Sequence, residues 1–184
     1  MRSDLMEKFR LKLALAVLFA ASLSPLHAGE ASLDPHLEVL RPLLEKTWKG
    51  QFKDSKPDKP MFDVARWERA LNGKAVRILH SVNDGIYGGE TILTWDEAKQ
   101  SLVYHYFTTA SHNTTGTMSA KDGKFVTDEV VTGSAGGVTE VRATSELLPD
   151  GTLHLKAEYL KNGEWTPGHE VTYKEDASAK VVFK

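Results

Sequence analysis

Five turn dipeptides punctuate this chain: Asn72-Gly73, Asp84-Gly85, Asp122-Gly123, Asp150-Gly151 and Asn162-Gly163. Such pairs favour tight hairpins because Asn, Asp and Gly tolerate the positive φ that two-residue loops need. Trp95–Gln100 reads as a longer turn, and Gly133–Gly137 as a flexible loop. Between these breaks the spacing predicts about ten strands, near 47–53, 61–71, 74–83, 86–95, 101–109, 113–119, 124–132, 138–148, 152–161 and 165–174. Hairpins in unbroken succession make an antiparallel meander. A sheet of that many strands curls, and closing it removes its two exposed edges. The expected fold is therefore all-β, an antiparallel up-and-down barrel, with a β-sandwich as the alternative.

Alternation of side chains assigns the inner face. Leu153, Leu155, Ala157 and Tyr159 share one face, against His154, Lys156 and Glu158. Val141, Ala143, Ser145 and Leu147 form another apolar row, and Val76, Ile78, His80 and Val82 a third. Trp48, Gly50 and Phe52 oppose Lys49, Gln51 and Lys53. In the last strand Trp165, His169, Val171 and Tyr173 fall in one phase.

The N-terminal stretch has a different character. Arg2, Lys8, Arg10 and Lys12 precede an apolar run over Leu13–Leu23, and Ser24-Pro25-Leu26-His27-Ala28 closes it. Positive residues, a short apolar run and a small residue at the end are the parts of a secretory signal peptide. The run is too short for a membrane span of about 20 residues. Residues 1–28 are read as a cleaved signal, so the mature chain has no stable membrane span and is exported, periplasmic or secreted. Residues 29–46 follow as a leader and a short helical segment over 35–46. Asp34 caps it, Pro35 starts it and Pro42 interrupts it. Residues 47–175 form the barrel and 176–184 a C-terminal tail.

Composition narrows the chemistry. The net charge is −2, so the chain lacks the basic excess of a nucleic-acid binder. It has no cysteine, which excludes disulfides, thiolate metal sites and a cysteine nucleophile. A chain of about 150 residues nevertheless buries roughly 70% of its unfolded surface. Packing and strand pairing can hold it without covalent staples.

Catalytic signatures are absent. Gly133–Gly137 lacks the Lys-Ser/Thr ending of a phosphate loop, and no Gly-x-Ser-x-Gly elbow occurs. Asp128 and Glu129 are adjacent in one strand and so point to opposite faces. His105 and His112 show no metal-ligand spacing. The inward histidines are the sharper feature. His80 and His169 lie on apolar faces, where an imidazole either bonds a core partner or meets a ligand. Trp67, His80, Trp95, Tyr159, His169 and Tyr173 are the expected lumen-facing set. Arg66 and Arg69 flank Trp67 and read as surface residues.

Several stretches carry a family resemblance. Leu43–Phe52, with Trp48 at its centre, resembles the opening of lipocalin-like (calycin) barrels, where a Gly-x-Trp segment begins the first strand. Lys46 stands where that segment has glycine. Trp67–Gly73, then Tyr87–Glu90 running to Leu93–Asp96, and Glu170–Tyr173 resemble a bacterial family of lipocalin-like domains of unknown function. Pro167–Tyr173 loosely resembles nitrobindin-like barrels, which bind haem through a histidine near the C-terminal end and are linked to peroxynitrite isomerisation. That likeness implies His169 as a haem ligand.

The leading expectation is an exported, non-catalytic barrel holding a small apolar or amphipathic molecule in its lumen, without a cofactor. A haem barrel acting on reactive nitrogen species is the alternative. A filled barrel that uses an outer face to bind an envelope protein is the second alternative.

Overall fold

The computed structural model describes residues 32–184. The stretch read as a signal, and residues 29–31 of the leader, lie outside the described residues. Ten antiparallel strands form one closed barrel: β1 (Lys46–Phe52), β2 (Phe62–Ala70), β3 (Ala75–Val82), β4 (Tyr87–Asp96), β5 (Ser101–Thr108), β6 (His112–Lys121), β7 (Lys124–Gly133), β8 (Val138–Leu147), β9 (Leu153–Lys161) and β10 (Glu164–Glu175). Each strand pairs with its neighbours in sequence. The seam closes between β1 and β10, where Trp48 faces Glu175 and Phe52 faces Val171.

The turn chemistry explains the meander. Asn72-Gly73, Asp84-Gly85, Asp122-Gly123 and Asn162-Gly163 place both residues at positive φ, as the dipeptides predict. Asp150-Gly151 differs, because only Gly151 has positive φ. Its loop is longer, closed by Leu148 N–H donating to the Thr152 carbonyl at 2.8 Å. Gly73 serves a second purpose. A Cβ there would lie 1.9 Å from the Ser32 carbonyl oxygen, so only glycine lets the leader pass.

A 3₁₀ helix over Pro35–Leu43 covers one end of the barrel. It is shorter than the expected 35–46, because Glu45 turns at φ 56° and β1 begins at Lys46. Asp34 accepts from the His36 N–H at 3.0 Å and caps the start. Pro42 lacks an N–H, and the short i to i+3 bonding of a 3₁₀ helix accommodates it. Leu37, Leu40 and Leu43 are fully buried. They meet Trp48, whose Nε1–H donates to the Leu43 carbonyl at 3.2 Å. This end of the barrel is packed with side chains, including Val76, Leu93, Leu102, Phe125 and Leu153.

The last strand departs from simple alternation. The β9–β10 register shifts between Pro167 and Glu170. Proline cannot donate to the ladder, and the added residue turns the following side chains to the other face. Trp165 therefore lies outside, with the Arg142 guanidinium 4.3 Å from its ring centre, whereas His169 faces inward. The tail runs back along the outer wall. Asp176 N–H donates to the Thr47 carbonyl, and Val182 N–H donates to Ser81 Oγ at 3.0 Å. Ser81 is buried beneath it.

Among the described residues no helix is long and apolar enough to cross a membrane.

Candidate ligand cavity in the barrel lumen

Above the packed end the barrel is hollow. A cavity of about 820 Å³ lies among the inward side chains. This falls within the usual range for small-molecule sites, about 300–1,000 Å³. Met61, Ile86, Ala110 and Ser134–Gly136 line it at the opposite end of the barrel. These residues belong to the loops between β1 and β2, β3 and β4, β5 and β6, and β7 and β8. The interior is thus not filled, whereas the surface-only alternative requires a filled barrel.

The sequence-derived set divides. Trp67, His80, Tyr159, His169 and Tyr173 line the cavity. Trp95 does not, and the expectation for it is corrected. It keeps the inward phase of Thr91 and Leu93, but it sits at the strand end, beyond the cavity floor. There it stacks on His36 with ring centres 3.9 Å apart, and its Nε1–H donates to Glu97 at 2.9 Å. His105 is exposed and stacks beside Phe107. Arg66 pairs with Glu45 and Glu68, and Arg69 donates to the Ser32 carbonyl.

A chain of polar groups crosses the upper wall. Asp63 is a buried carboxylate, only 3% exposed. It accepts from Tyr173 Oη–H at 2.9 Å and meets His80 Nδ1 at 2.8 Å. A carboxylate only accepts, so the proton sits on His80 Nδ1. His80 Nε2 lies 2.7 Å from Tyr106 Oη, within hydrogen-bond distance. The Tyr106 hydroxyl shares a hydrogen bond of 2.8 Å with Tyr87 Oη. Tyr87 Oη lies 3.5 Å from His112 Nε2. Burial raises the hydroxyls of Tyr87, Tyr106 and Tyr173 above the usual tyrosine value, so all three stay protonated.

Two further groups stand apart from that chain. His169 Nδ1 lies 2.5 Å from Tyr159 Oη, with Phe52 edge-on to its ring. Burial holds this imidazole below the ordinary histidine value, in its neutral form. Glu129 accepts from Thr114 Oγ1–H at 2.7 Å. Burial pushes its carboxyl above the usual value. Its charge also adds to the burial that raises Tyr87, Tyr104, Tyr106 and Tyr159. Tyr104 is 5% exposed, and its hydroxyl is turned toward Glu129 and Thr127.

Sequence reasoning did not nominate Asp63, Tyr87, Tyr104, Tyr106, His112 or Glu129. The signal for them was phase. Asp63 alternates with Ala65 and Trp67, and Glu129 with Phe125, Thr127 and Val131. Among the described residues no group of three or more His, Asp and Glu is placed to hold a metal ion.

No protein-family model matches the chain, and no curated protein matches its sequence. Solved structures do match. The crystal structure of Rv2717c from M. tuberculosis aligns with a TM-score of 0.58 at 14% identity, covering 79% of this chain and 99% of that one. A likeness at that identity shows the fold alone. The closed ten-strand antiparallel barrel fits a lipocalin-like fold.

Proposed function

We propose that this protein is an exported, non-catalytic binding protein that holds one small apolar or amphipathic molecule in its lumen. The cavity of about 820 Å³ carries this reading, with aromatic and aliphatic side chains on its floor and hydroxyls above. Export rests on the apolar run Leu13–Leu23 and its basic flank. The stretches around Trp48, Trp67 and Tyr87 support membership of the bacterial lipocalin-like domains. Native mass spectrometry of protein purified from its own cells tests the reading. The expected result is one small molecule per chain, released on denaturation. A chain with nothing bound after purification without detergent contradicts it.

One observation favours a second reading. His169 has Nδ1 engaged by Tyr159, its ring is neutral, and Nε2 makes no hydrogen bond among the described residues. A histidine fixed through one nitrogen and free at the other fits an axial ligand of haem iron. His169 would hold the iron, and Phe52 and Tyr159 would flank the ring that binds it. Haem would supply the iron chemistry of a barrel acting on reactive nitrogen species. Adding haem to the purified protein and recording its visible spectrum decides the point. A Soret shift lost in His169→Ala supports this reading, and no shift removes it.

A further inference from the structure

The lumen is short of counter-ions. Asp63 is the single carboxylate among the described residues that line the cavity, and no lysine or arginine lines it. Both Asp63 oxygens are taken, one by His80 and the other by Tyr173.

The three lining histidines differ in what they have left to offer. His80 has a partner on each nitrogen, Asp63 and Tyr106. His112 has Nε2 3.5 Å from the Tyr87 hydroxyl. His169 is held on one side only. Its Nδ1 meets Tyr159 Oη, Phe52 lies edge-on to the ring, and Nε2 makes no hydrogen bond among the described residues. The register shift between Pro167 and Glu170 turns this residue inward. A Cβ on Gly168 would stand 3.0 Å from Tyr159 Cζ, so glycine lets the strand lie close to the phenol that fixes the ring. Burial outweighs the opposing influences of Asp63 and His80 and keeps the imidazole neutral. Buried polar groups are almost always paired, by protein, water or ligand. A fixed ring on the cavity wall with one open nitrogen is therefore a place for a polar ligand atom.

We infer that the lumen selects ligands with an uncharged polar end, an alcohol or a primary amide, hydrogen-bonded to His169 Nε2 with the apolar chain directed toward the packed end of the barrel. The inference rests on the lumen-binding reading and names its ligand class. A hydroxyl or a primary amide both donates and accepts, so either one completes Nε2 whichever ring nitrogen carries the proton. An ammonium meets no unclaimed carboxylate on the wall, and a carboxylate meets no lysine or arginine. Each would enter as an unpaired charge, an unfavourable burial.

The test is a displacement series on the purified protein at neutral pH, where octylamine is a cation and octanoic acid an anion. N-phenyl-1-naphthylamine is the probe, and octanol, octanamide, octylamine and octanoic acid compete for it. Octanol and octanamide are expected to bind more tightly than either charged ligand by about tenfold or more, because an unpaired buried charge costs at least that. His169→Phe keeps a ring of similar bulk and removes both nitrogens. In that variant the probe is expected still to bind, while octanol and octanamide weaken by about threefold to tenfold, as the loss of one hydrogen bond implies. The wild-type ranking decides by itself if the variant does not fold. Equal or tighter binding of octylamine or octanoic acid, or unchanged octanol affinity in folded His169→Phe, overturns the inference and leaves lumen binding standing. Failure of the probe and all four competitors to bind overturns the lumen reading together with it.

Discussion

Asp63 shows how much one buried carboxylate organises. Its two oxygens hold His80 from β3 and Tyr173 from β10, so one side chain ties three strands across the inside of the barrel. Asp63→Ala leaves both partners buried and unpaired, and unfolding in urea is expected to show a loss of about 1–3 kcal/mol or more. Tyr173→Phe removes one donor only and is expected to cost about 1 kcal/mol. Equal stability of Asp63→Ala and the wild type would mean that the chain is ornamental. Glu129 makes the opposite kind of contribution. Burial raises its folded value above the unfolded value of 4.5. The folded state then binds the proton more tightly, so stability is highest while both states are protonated. It declines as pH rises from the unfolded value through the folded one, and the loss persists above that. Glu129→Gln is expected to flatten this decline in denaturation measured across that window. An unchanged pH slope would contradict the burial.

At the scale of elements, period-two patterning was legible because each strand has one wet and one apolar face. The inward rows in β1, β3, β8 and β9 follow from alternation alone. β10 did not, because Pro167 and Gly168 insert a bulge that no periodicity count contains. Trp165 and His169 share a phase in sequence and lie on opposite sides of the wall. The two tryptophans Trp48 and Trp165 therefore differ sharply in weight. Trp48, 2% exposed and bonded to Leu43, is expected to cost about 3–5 kcal/mol when truncated to alanine. Trp165→Ala, on the outer face, is expected to cost under about 1 kcal/mol. Equal losses in urea melts would place Trp165 inside. The candidate site was less legible than the strands for a related reason. The partners of Asp63 lie 17 and 110 residues away in sequence: the β2–β3 hairpin brings His80, and only ring closure brings Tyr173. Trp95 failed in the converse way. Its phase is inward, but it lies at the strand end against His36 of the 3₁₀ helix, a contact that alternation does not encode.

The described residues 32–184 form a cup. One end is plugged by Leu37, Leu40 and Leu43 against Trp48, and the other carries the loops that line the cavity. The absence of cysteine leaves strand pairing, this plug and the C-terminal tail to hold the ring. The cavity is lined by both polar and apolar side chains, so a bound molecule would present an apolar body to the floor and a polar end to the hydroxyls and carboxylates. That claim depends on the lumen itself. It is tested most directly by filling the lumen and leaving the outside unchanged. Ala143 lines the cavity from β8, so Ala143→Trp introduces bulk into the space a ligand would occupy. Titration of N-phenyl-1-naphthylamine into the wild type is expected to show saturable binding at one site. The folded variant, checked by circular dichroism, is expected to lose that binding by tenfold or more, because the ring cannot share the volume. Undiminished binding by a folded Ala143→Trp protein would contradict the account and place the ligand outside the barrel.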